Sequence, residues 1–104
     1  MYKIMIVEDD PVIAGAMEKH IASWGHGVYT ARSFQNILSE YEAAQPHLVL
    51  MDIALPFYDG YYWCREIRKR SQVPVIFISS AGEDMNIIMA MNMGETILLR
   101  SPLI

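Results

Sequence analysis

Lys3-Ile4-Met5-Ile6-Val7-Glu8-Asp9-Asp10-Pro11 decides how the chain is read. One charge is followed by four apolar residues, and the run stops at three acids. A continuous apolar run this short fits a strand buried on both faces, as in parallel sheets. Asp10-Pro11 marks a helix start. An aspartate side chain accepts the free N–H groups of the first turn, and proline there has no N–H to leave unpaired. The expected helix carries Ile13, Met17, Ile21 and Trp24 at helical spacing and ends at Gly25 or Gly27. Glu8 and Asp9 therefore fall at the carboxyl end of a strand.

The pattern then repeats. Residues 28–31 read as a short second strand. Ser33 is the expected cap of a helix running to residue 44, with Phe34, Ile37, Leu38 and Tyr41 as its apolar stripe and Pro46 as its breaker. Residues 48–51 form a third strand that again stops at an acid, Asp52. A turn-rich loop over 55–60 leads to a helix over 61–70. Residues 75–78, rich in β-branched side chains, read as a fourth strand. A methionine-rich helix over 83–93 is closed by Gly94, and 97–99 can form a fifth strand. Strands alternating with helices predict an α/β domain: a doubly wound parallel sheet with helices on both faces.

Composition narrows the function. At 104 residues, 53% hydrophobic and 19% charged, the chain suits one compact domain with a real core. The net charge of -4 opposes a nucleic-acid surface, which needs clustered cations. The one basic cluster, Arg65, Arg68, Lys69 and Arg70, sits at a helix end, where cations complement the helix dipole. A single cysteine, Cys64, allows no internal disulfide and no thiolate zinc site, and in an apolar helix it is expected to be buried and inert. His20, His26 and His47 show no metal-ligand spacing. Glu8, Asp9 and Asp10 interrupt the N-terminal apolar run too early for a signal peptide, and no stretch approaches membrane-spanning length. A cytoplasmic protein without membrane contact is expected.

The acids carry the chemistry. In open α/β sheets ligands bind beyond the carboxyl ends of the strands. Glu8 and Asp9 follow the first strand and Asp52 the third, and in a doubly wound sheet those ends are neighbours. Any one acid at a strand end is most simply a cap or turn former, as Asp10 is here. Three converging carboxylates repel one another, and a hard divalent cation relieves that repulsion. Mg2+ prefers such oxygen ligands, and carboxylates also act as nucleophiles that form acyl phosphates. Ser79 adds a hydroxyl at the end of the fourth strand.

With these residues in view, the chain resembles the receiver domains of two-component response regulators (CheY-like), as in the N-terminal part of OmpR-type transcriptional regulators. Ile4-Met5-Ile6-Val7-Glu8-Asp9-Asp10-Pro11 is similar to their opening. Leu48-Val49-Leu50-Met51-Asp52 with Pro56 and Asp59-Gly60 is similar to their phosphoacceptor strand and loop. Pro74-Val75-Ile76-Phe77-Ile78-Ser79-Ser80 is similar to their fourth strand. The likeness runs to about Gly94. It implies a flavodoxin-like sheet of order 2-1-3-4-5, with Asp52 accepting phosphate from a sensor histidine kinase. It implies Mg2+ held by Glu8, Asp9, Asp52 and the backbone carbonyl of Ala54, with Ser79 contacting the phosphoryl group and passing on the switch. A kinase partner follows and a homodimer is admitted; DNA binding by this chain and enzymatic turnover beyond its own phosphorylation and dephosphorylation are not expected. Residues 57–65 resemble, more loosely, regulators of antimicrobial-peptide response.

The tail departs from the family. By position Leu98 replaces an aromatic and Ser101 replaces the lysine that normally pairs with the phosphoryl group, with no fifth helix in the reading. Arg100 is adjacent, but neighbouring strand residues point to opposite faces. Suitable codons for residues 95–104 yield the expected family tail in a shifted frame, so a frameshifted receiver is the expectation; the encoding DNA decides it. The altered lysine position favours an alternative, a pseudo-receiver acting only as a protein-interaction module. The intact Glu8, Asp9, Asp52 and Ser79 favour the phosphoacceptor. A small flavodoxin-like enzyme or nucleotide binder lacks both a glycine-rich phosphate loop and a nucleophile set.

Overall fold

The computed structural model describes residues 1–79 and 97–100, with Ser79 and residues 97–100 described as backbone. The chain order is β1 (Lys3–Val7), α1 (Pro11–Ser23), β2 (Gly27–Thr30), α2 (Ile37–Ala44), β3 (Leu48–Asp52), α3 (Gly60–Arg68), β4 (Val75–Ser79) and β5 (Ile97–Arg100). All five strands are parallel, in the order β2-β1-β3-β4-β5. The expected strand order is therefore present, and residues 97–99 do form the edge strand. The helix expected over 83–93, its closing Gly94, and Ser101 lie outside the described residues.

Strand alternation divides the core into two layers. Met5, Val7, Val49, Met51, Val75 and Phe77 point to one face, where Ile37 and Tyr41 of α2 and Tyr61, Trp63, Cys64 and Ile67 of α3 cover them. Ile4, Ile6 and Ile78 point to the other, under Ala14, Met17 and Ile21 of α1. The central strands are apolar on both faces because both are covered, which is why β1 reads as an unbroken apolar run. Cys64 is fully buried and unbridged.

The helix starts follow their capping chemistry. Asp10 accepts from the N–H groups of Val12 at 2.9 Å and Ile13 at 3.4 Å, with Pro11 in the first turn. Gly25, at φ 87°, makes the left-handed turn after α1 that a side chain would strain. Two expectations need correction. The buried stripe of α1 is Ala14, Met17 and Ile21; Trp24 is 68% exposed and Ile13 36%. The helix is rotated so that the small Ala14 meets the sheet, and Trp24 falls past the last turn. Ser33 does not cap α2, which begins four residues later behind Asn36, whose side chain accepts from the Ser39 N–H at 3.4 Å. The Ser33 N–H instead donates to the Glu40 carboxylate at 2.7 Å. That carboxylate also takes the Arg32 N–H and the Tyr29 hydroxyl, tying the β2–α2 connection to the helix.

Candidate functional site

β3 lies between β1 and β4, and the register fixes what meets at the carboxyl rim. Met51 is level with Val7, and Asp52 with Ile78. The residues that follow Val7 are therefore brought beside Asp52. Glu8, Asp9 and Asp52 each offer a carboxylate oxygen within 4.8 Å of the others. Burial is graded across the three: Glu8 is 6% exposed, Asp52 partly buried and Asp9 exposed.

Short local bonds hold the acids in place. The Asp10 N–H donates to Glu8 Oε2 at 3.1 Å, which turns the Glu8 side chain back along its own loop. The Ala54 N–H donates to Asp52 Oδ1 at 3.3 Å. From the other side, the Gly60 N–H donates to the Ile53 carbonyl at 2.9 Å, so the start of α3 closes directly on the chain leaving β3. Asp59 caps that helix through the Tyr62 N–H at 2.8 Å. The 55–60 loop thus ends one residue earlier than its sequence suggests, with Gly60 as the first helical residue.

The electrostatics are those of a partly buried cluster of like charges. Burial pushes the Glu8 carboxyl up to about 7; the Asp10 N–H opposes this, and the Asp52 charge adds to it. Asp52 is also raised, first by burial, with the bonds from Glu8 and the Ala54 N–H pulling the other way. A proton on either carboxyl relieves part of this crowding. A divalent cation replaces that proton and satisfies all three carboxylates, so the donor set fits a hard, oxygen-seeking ion such as Mg2+.

The backbone of Ser79 ends β4 one residue beyond the level of Asp52, on the same rim, opposite Arg100 of β5. Glu8, Asp9 and Asp52 are thus brought together as the sequence suggests, Ala54 lies directly beside them, and Ser79 ends the adjacent strand. Gly60 is the position that sequence reading missed. Its signal was the Asp59-Gly60 pair, read as part of the family's loop after the third strand with no role given to the glycine.

A doubly wound parallel sheet with an acid cluster at the carboxyl ends of its first and third strands defines a receiver domain. Residues 4–101 match the response regulator receiver domain, and the chain belongs to that family. It is the receiver domain of a two-component response regulator. It is 35% identical to the sensory transduction protein BceR of Halalkalibacterium halodurans over 102 residues, which cover 98% of this chain and 44% of that protein. Among solved structures it is similar to the N-terminal domain of the nisin resistance regulator NsrR, a lantibiotic response regulator, at 39% identity and a TM-score of 0.89, covering all of this chain and 88% of that one. The BeF3-activated receiver domain of Klebsiella pneumoniae RstA is 33% identical at a TM-score of 0.85, over 92% of this chain and 84% of that one. The chain spans less than half the length of the curated relatives it matches. It fits the N-terminal receiver domain of an OmpR-type regulator, and no described helix is long and apolar enough to cross a membrane.

Proposed function

We propose that the domain is a phosphoacceptor switch in which Asp52 receives a phosphoryl group from the phosphohistidine of a sensor kinase. The observation that carries this reading is the convergence of the Glu8, Asp9 and Asp52 carboxylates within 4.8 Å at the carboxyl rim of the sheet. An Asp52 carboxylate oxygen attacks phosphorus, the bond from phosphorus to the kinase imidazole breaks, and an acyl phosphate forms. Glu8, Asp9, Asp52 and the Ala54 carbonyl are the residues that would hold Mg2+. The ion supplies charge neutralisation for the transferring group. Asp52 must be ionised to attack, and Glu8 must be deprotonated for the ion to bind. The Ser79 hydroxyl is the proposed contact to the phosphoryl oxygens. The added charge then biases the elements around the site and so an output; the reading places the domain in the cytoplasm, as part of a longer transcription-regulating protein. The likeness to NsrR supports a place in the response to antimicrobial peptides, and a dimer of phosphorylated domains fits the same scheme.

Beryllofluoride, which activates the similar RstA receiver, tests this reading. Beryllofluoride with Mg2+ is expected to raise the melting temperature of the wild-type domain, and to have no effect on an Asp52→Ala domain. Equal shifts in both proteins, or none in either, would point to the interaction-module alternative.

A further inference from the structure

Gly60 has no left-handed φ to explain it, so its backbone conformation does not demand glycine. The space around it does. A Cβ at this position would collide with the backbone carbonyl oxygen of Asp52, and would stand 3.1 Å from the Asp52 carbonyl carbon and 3.0 Å from Met51 Cγ. The first two neighbours are backbone and cannot swing aside. Gly60 is itself buried, and its N–H donates to the Ile53 carbonyl at 2.9 Å. The start of α3 is thus packed directly against the end of β3, at the residue whose side chain faces Glu8 and Asp9.

We infer that Gly60 is a positioning residue for Asp52: the missing side chain lets α3 clamp the end of β3, which sets the separation of Asp52 from Glu8 and Asp9. This rests on the phosphoacceptor reading of the site. A methyl group at Gly60 drives the two backbones apart, and the only chain end free to give is the one carrying Asp52 or the one starting α3. Movement of the β3 end displaces Asp52 directly, and movement of the α3 start releases the clamp that the Gly60–Ile53 bond places on it. Displacements of this kind around metal ligands cost about ten- to a hundred-fold in affinity.

The test compares three domains: wild type, Gly60→Ala, and Ile67→Val, which opens a cavity two turns further along the same buried helix face. Mg2+ affinity is measured by titration, and the amide resonances of Asp52, Ile53 and Ala54 are recorded without metal. Gly60→Ala is expected to shift those resonances and to weaken Mg2+ by about ten-fold or more, while Ile67→Val keeps both. Unchanged resonances and affinity in Gly60→Ala would overturn the inference, as would an equal loss in Ile67→Val. If Gly60→Ala does not fold, the wild-type domain still decides. Mg2+ should move the Gly60 amide resonance, and a Gly60 signal indifferent to the ion would overturn the inference. A wild-type domain that binds no Mg2+ would sink the reading of the site, whereas the metal-free resonances of Gly60→Ala judge the positioning role separately.

Discussion

Phe77→Ala is expected to lower the unfolding free energy by about 3–5 kcal/mol, read from urea denaturation of the metal-free domain. Phe77 is fully buried in the middle of the sheet, on the face covered by α2 and α3. Its ring meets Tyr61 edge-on at a centroid separation of 5.0 Å, so the truncation removes both transfer free energy and an aromatic pair. The neighbours are strand residues and a helix pinned by the Gly60–Ile53 bond, which cannot collapse into the cavity. Against a typical domain stability of about 5–15 kcal/mol, much of the folded state's margin disappears. A loss below about 1 kcal/mol would mean that the layer under α2 and α3 is not the main core.

The second large effect couples metal to protons. The folded Glu8 carboxyl sits at about 7, above its ordinary value of 4.5, so between these limits the folded metal-free domain binds more protons than the unfolded chain. Its contribution to stability is fully present below about pH 4.5 and is lost as pH rises through 7. The raised Asp52 acts in the same direction. Metal-free stability is therefore expected to fall between pH 5 and pH 8. Mg2+ reverses the trend because it binds the deprotonated cluster. At a concentration of about a hundred times its dissociation constant it adds about 2.7 kcal/mol at pH 8, and much less at pH 5, where protons compete. Asp52→Asn removes one of the three repelling charges, so that variant is expected to be more stable than wild type at pH 8 without metal and to gain little from Mg2+. Denaturant midpoints at the two pH values, with and without Mg2+, check all four corners. Metal-free stability rising with pH would show that the cluster is not strained.

The sequence revealed most where chemistry is local. The run from Lys3 to Pro11 carried its strand, its acids and its helix cap in consecutive residues, and each appears where expected. Asp52 was legible for the same reason, as the acid that stops a second apolar run. What the pattern could not show was which arc of α1 faces the sheet, because Ile13 and Ala14 are both apolar and only packing against Ile4 and Ile6 separates them. Ser33 failed as a cap because the helix begins four residues further on, behind Asn36, whose side chain accepts the Ser39 N–H. Gly60 read as part of a loop because its close approach to the Asp52 carbonyl is a contact between two elements. That β1 and β3 lie side by side was read from the doubly wound arrangement, and the full order 2-1-3-4-5 came from the family resemblance, since alternation of strands and helices alone permits other orders.

Intact-mass spectrometry of the domain after incubation with acetyl phosphate tests the central claim most directly, with and without Mg2+ and beside an Asp52→Ala control. A single phosphoryl adduct that requires Mg2+, is released by hydroxylamine as an acyl phosphate must be, and is absent from Asp52→Ala is the predicted result. No adduct in a domain shown to be folded, or an adduct that persists in Asp52→Ala, would contradict the assignment of Asp52 as the phosphoacceptor.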